Sequence, residues 1–92
     1  MRSCVGDEGR GVKMKKSYQA RTFRKCMAYL KEPTQERKES LIRCLERWAT
    51  SEHQLPEYEY RDLGLAGSIE YCSDRMNSGR AKAILTLFKM EE

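Results

Sequence analysis

Lys13, Lys15, Lys16, Arg21, Arg24, Lys25 and Lys31 crowd the front of this chain. Permanently charged side chains at this density do not make or break bonds. They neutralise anions, either the phosphates of a nucleic acid or the carboxylates of a protein surface. Residues 1–31 carry nine Lys/Arg against Asp7 and Glu8, a net +7, whereas residues 32–92 carry nine against twelve Asp/Glu, a net −3. The formal net charge of +4 therefore conceals a basic front end joined to a mildly acidic body. Clustered like charges repel until something neutralises them, so the split predicts an acidic partner for the front end.

A second set of side chains suits recognition. Tyr58, Tyr60 and Tyr71, with Arg75 and Arg80 nearby in sequence, offer large contact area at small entropic cost. The same residues also suit the roof of a small helical core. Bond-making chemistry has less to work with. His53 is the single histidine and stands in a polar stretch, Ser51-Glu52-His53-Gln54, with no base or nucleophile placed beside it by spacing. Cys4, Cys26, Cys44 and Cys72 are widely spaced with no Cys-x-x-Cys pair, which argues against zinc. No secretory leader precedes Asp7, so the cysteines read as reduced, buried small hydrophobes. The glycines between Gly6 and Gly11 lack the strand and the Lys-Ser/Thr of a phosphate loop. The sequence thus implies no metal, no cofactor and no enzyme.

The elements that position these residues are helical. From Ser17 onward, Ala20, Phe23, Met27 and Leu30 recur at three and four residues with Cys26 alongside, which predicts a helix over about 17–31 with that line buried. Arg21, Arg24, Lys25 and Lys31 then form a basic opposite face, preceded by Lys15 and Lys16. Pro33 is expected to open a second helix over about 33–52, burying Leu41, Cys44, Leu45, Trp48 and Ala49. Pro56 repeats the device for a third helix over about 56–77, weakened by Gly64 and Gly67. Asn77-Ser78-Gly79 reads as a helix stop, and Ala81, Ile84, Leu85 and Phe88 make the buried face of a last helix over about 80–90. The expected fold is all-α, one compact four-helix domain over residues 14–92 with short Pro- and Gly-marked connections, behind a flexible basic tail over 1–13. Arg61 to Ile69 also invites a helix-turn-helix reading with 68–77 as recognition helix. Its spacing is poor, because Glu70 or Ser73 falls where that motif buries an apolar residue.

Met14-Lys15-Lys16-Ser17 has the form of a bacterial translation start, and the preceding Glu-Gly and Gly-Arg codons can spell a ribosome-binding site; an ordinary flexible tail with an incidental methionine is the equal alternative. No apolar run approaches the roughly 20 residues of a membrane span. The expectation is a cytoplasmic, non-enzymatic accessory protein of bacterial or phage type. It would bind and modulate, inhibition included, a larger host nucleic-acid-processing protein with an acidic surface through its basic amphipathic helix. Direct binding of DNA or RNA as a small regulator is the alternative. A second copy of the chain is a further expected partner, because 92 residues bury only a modest core.

Overall fold

The computed structural model describes residues 16–51 and 54–91. Four helices follow one another: α1 (Lys16–Lys31), α2 (Gln35–Ala49), α3 (Gly64–Cys72) and α4 (Ser78–Met90). The chain is all-α, with no β-strand among the described residues. The tail expected over 1–13, Met14, Lys15 and His53 lie outside the described residues.

Proline shapes the first reversal but does not open α2. Pro33 disfavours helix at the residue before it, so α1 ends at Lys31. Thr34 then caps α2, its hydroxyl accepting from the Arg37 N–H at 3.2 Å. Helix α2 is accordingly shorter than the expected 33–52. Leu41, Cys44, Leu45 and Trp48 lie on its buried side.

The expected helix over 56–77 is replaced by two pieces. Residues 54–60 run as a non-helical strap, a turn at 61–63 follows, and only Gly64–Cys72 is helical. Gly64 enters α3 with φ +74°, a left-handed conformation that glycine alone adopts without strain. The strap spends its polar groups on α4 rather than on itself. Leu55 N–H donates to Ser78 Oγ at 2.6 Å, Tyr58 N–H to the Gly79 carbonyl at 3.4 Å, and the Thr86 hydroxyl to Glu57. Gly79 is there because of this approach. A Cβ on it would overlap the Pro56 carbonyl oxygen and come within 2.8 Å of the Tyr58 ring. Asn77-Ser78-Gly79 is therefore a helix start and not a stop, with the Asn77 side chain accepting from Arg80 N–H at 2.9 Å.

One core joins all four helices: Cys26, Leu41, Cys44, Leu45, Trp48, Leu65, Ile69, Cys72, Met76, Ala81, Ile84, Leu87 and Phe88. Leu85 packs against it only in part. The buried line of α1 differs from the expected one. Thr22 and Cys26 are fully buried, flanked by Tyr18 and Tyr29, while Ala20 and Phe23 are exposed. The helix is thus turned by about one residue's rotation, ~100°, from the apolar reading. The cause is polar. Trp48 Nε1–H donates to Thr22 Oγ1 at 2.7 Å, Thr22 Oγ1–H donates to the Tyr18 carbonyl at 2.8 Å, and Cys44 Sγ lies 3.3 Å away. With its one proton committed to Tyr18, the hydroxyl accepts from both Trp48 and the Cys44 thiol, so no capacity is left unused. Gln19 adds a two-way clamp to the α3–α4 turn, donating to the Met76 carbonyl at 3.3 Å and accepting from its N–H at 3.2 Å.

Trp48→Ala should cost roughly 3–5 kcal/mol, since it empties a large buried site. Urea unfolding monitored by circular dichroism measures it, and a variant as stable as the parent would place Trp48 outside the core. By the same assay Gly79→Ala should cost roughly 1–3 kcal/mol through overlap with the strap. Gly67→Ala, whose Cβ would meet Leu63 Cβ at an ordinary 3.4 Å, should be neutral or stabilise by up to ~1 kcal/mol.

Candidate functional site

The antiparallel return at Glu32-Pro33-Thr34 brings the start of α2 beside the second half of α1, and a groove opens between them. Arg21, Arg24, Lys25, Ala28, Arg37 and Ser40 line it, enclosing about 350 Å³. Four of those six side chains are cations. Three of the four have a partner along it. Arg21 lies over the Tyr18 ring, its guanidinium carbon 5.8 Å from the centroid, with Arg47 on the same ring at 5.5 Å. Lys25 Nζ donates to Ser40 Oγ at 2.6 Å. Arg37 Nη1 donates to the Ala28 carbonyl at 2.9 Å and its Nη2 meets Glu32 at 3.4 Å at the groove's end. Among the described residues no carboxylate stands within ion-pair distance of Arg21, Arg24, Lys25 or Lys31. The groove is thus suited to anionic oxygens, which two guanidinium forks can meet pairwise.

Of the residues expected to bind a partner, Arg21, Arg24 and Lys25 share this groove, while Lys31 is exposed at the end of α1. Lys16 is the first residue of α1. Arg37 and Ser40 were not assigned from sequence. Arg37 follows the Thr34 cap by one turn, so the cap, once seen, turns its side chain back toward α1. Lys25 is not a freely solvated cation, as the amphipathic reading implied. Its partial burial and its bond to Ser40 follow from the rotation set by Thr22.

The second set is also gathered in space, from three separate stretches. Tyr58 stacks on Tyr60 with centroids 5.9 Å apart, and Tyr60 meets Tyr71 at 5.8 Å. Arg80 covers Tyr58 at 5.2 Å and Arg75 covers Tyr71 at 4.7 Å. Arg80 Nη1 also donates to the Arg75 carbonyl at 2.7 Å, while its buried Nε has no hydrogen-bond partner among the described residues. Ring faces and guanidinium planes are spent on one another, which fastens the strap to the α3–α4 corner. Glu57-Tyr58-Glu59-Tyr60 alternates with period two, and that alternation was the sequence signal for an extended strap with both rings on one side. No hydrogen bond, ring contact or cation–π contact joins this cluster to the α1–α2 groove among the described residues. The helix-turn-helix reading does not hold either: α3 ends at Cys72, and Ser68, Ile69 and Cys72 face the core.

Cys26, Cys44 and Cys72 are free and buried in the core. Burial, then the neighbouring Cys44 and Cys72, pushes the Cys26 thiol from 9.0 up to about 12, and burial also raises Cys72. Burial likewise raises Tyr18, Tyr29 and Tyr60. Among the described residues no group of three or more His, Cys, Asp or Glu is arranged to hold a metal ion, and no helix is long and apolar enough to cross a membrane. No protein-family model matches this chain, and no curated protein or solved structure matches it significantly.

The raised thiols and phenols have a signed consequence. Folded Cys26 keeps its proton to about 12 whereas an unfolded thiol loses it near 9.0, so the contribution is fully present below pH 9.0 and fades as pH climbs toward 12. Melting temperature should stay level from about pH 7 to about pH 8.5 and fall above that, and Cys26→Ala should soften the fall. A level profile through about pH 11 would show that the thiol is not held in its neutral form by burial.

Proposed function

We propose that this chain is a small, non-enzymatic accessory protein of bacterial or phage type that docks on a larger protein acting on nucleic acid and modulates it. The α1–α2 groove carries the reading: Arg21, Arg24, Lys25 and Arg37 converge there, and among the described residues Arg37 alone of the four has a carboxylate within ion-pair distance, Glu32 at 3.4 Å. Such a surface attracts acidic groups from a distance and speeds encounter.

An acidic protein surface fits better than a duplex. The basic side chains do not run on across the molecule: Glu36, Glu39 and Glu46 are exposed on α2, and Gln35 donates to Glu39 at 2.9 Å. Extended phosphate tracking needs a longer uninterrupted positive surface. The Met14-Lys15-Lys16-Ser17 start pattern supports a bacterial or phage setting, and the charge split supports a partner that is itself acidic.

Charge reversal tests this directly, with Lys25 spared because it is bonded to Ser40. Arg21→Glu with Arg24→Glu should keep the helicity of the parent, since both side chains are exposed and glutamate is a good helix former. Affinity capture from bacterial lysate should recover the same protein before and after nuclease with the parent chain and lose it with the double variant. Salt-dependent binding of the parent to random duplex, abolished in the variant, would instead establish the nucleic-acid alternative. Equal capture by both forms would mean that the groove is merely solvated.

A further inference from the structure

The rotation of α1 leaves a ridge that the core uses only in part, through Met27 and Leu30. Ala20 is exposed, Phe23 is 40% exposed, and Met27 and Leu30 are only partly buried. Their spacing of three and four residues puts all of them along one line of the helix. Going round α1 from that line, the exposed Arg24 and Lys31 come next, and the groove with Arg21, Ala28 and Lys25 follows. An apolar ridge, a basic crest and a cationic groove thus lie side by side along one helix.

Resting on the reading of this surface as a protein-docking site, we infer that α1 binds an acidic amphipathic helix of its partner, with Phe23 and Met27 against the partner's apolar stripe and Arg24, Lys31 and the groove cations against its carboxylates. Charge complementarity selects this occupant. A second copy would bring the same cations to the same place, and like charges would meet. A phosphate backbone would satisfy Arg24 and Lys31 but offers no apolar complement to Phe23 and Met27. Helix α1 has 16 residues, roughly 24 Å, which matches four to five turns of a partner lying along it. Recognition of this kind reads apolar anchors at helical spacing and leaves flanking charge to set orientation and rate.

A synthetic peptide of leucine and glutamate, about 18 residues long with leucine in a helical stripe, is a direct probe, read by fluorescence anisotropy at physiological salt. Its shuffled isomer, equal in charge and composition but without the stripe, and a random DNA duplex are the controls. The striped peptide should bind about fivefold tighter than the shuffled one, the margin expected from covering the exposed part of Phe23 and its neighbours. Phe23→Ser should erase that margin with helicity unchanged by circular dichroism, and Phe23→Leu should retain it. Arg24→Gln should weaken both peptides by a similar factor. Equal binding of the two peptides, with Phe23→Ser silent, would overturn this inference and leave docking on an acidic protein intact. Binding of the duplex alone would overturn both, and failure of the striped peptide to bind at all would overturn the inference whatever the duplex does.

Discussion

One buried hydroxyl sets the geometry on which the surface of this protein depends. The Trp48 indole must enter the core of so small a domain, and a buried indole N–H without an acceptor costs about 1–3 kcal/mol. Thr22 supplies that acceptor at 2.7 Å. Because Thr22 sits on α1 and Trp48 on α2, satisfying the indole fixes the rotation of one helix against the other. Everything on the outside of α1 follows. Tyr18 comes against Trp48 with ring centroids 5.7 Å apart, Lys25 reaches Ser40, and Phe23 is left at the rim.

That constraint explains what could and could not be read from the amino-acid order. Apolar periodicity found all four helices and most of the core, because Leu41, Cys44, Leu45 and Trp48 on α2 and Ala81, Ile84 and Phe88 on α4 repeat at helical intervals without competition. On α1 it pointed to Ala20, Phe23, Met27 and Leu30, since a periodicity argument counts threonine as polar and turns it outward. A hydroxyl whose donor and acceptors are all engaged behaves as a core residue, and only the partner's position reveals it. The candidate binding residues were legible as charges for a similar reason: sequence shows that Arg21, Arg24 and Lys25 exist on one helix, but Arg37 joins them only through the chain reversal at Pro33.

The strap over residues 54–60 shows the converse failure, where a local signal was present and a stronger one overrode it. Leu55-Pro56 suits the first turn of a helix, yet Pro56 is followed by the alternating Glu57-Tyr58-Glu59-Tyr60. Tyrosine is a mediocre helix former, and in extended chain two tyrosines separated by one residue project to the same side. The decisive term is tertiary. Gly79 lets the strap's backbone approach α4 closely enough to form hydrogen bonds, and Tyr58 then lies over that glycine with Arg80 across its ring. Glycine at a helix's first turn looks like a terminator when read alone. It functions here as the place where a neighbouring backbone can land.

Stacking of Arg80 and Arg75 on tyrosines also separates the two arginine populations of the molecule. At the α3–α4 corner the guanidinium planes are occupied by Tyr58 and Tyr71, so their charge is partly committed to holding the strap. On α1, Arg24 and Lys31 have neither a ring nor a carboxylate beside them among the described residues. A cation with no local partner gains most from one that arrives from outside, because no internal contact has to be given up first. The uneven commitment of charge, more than the formal net charge, is what the proposed docking on α1 rests on.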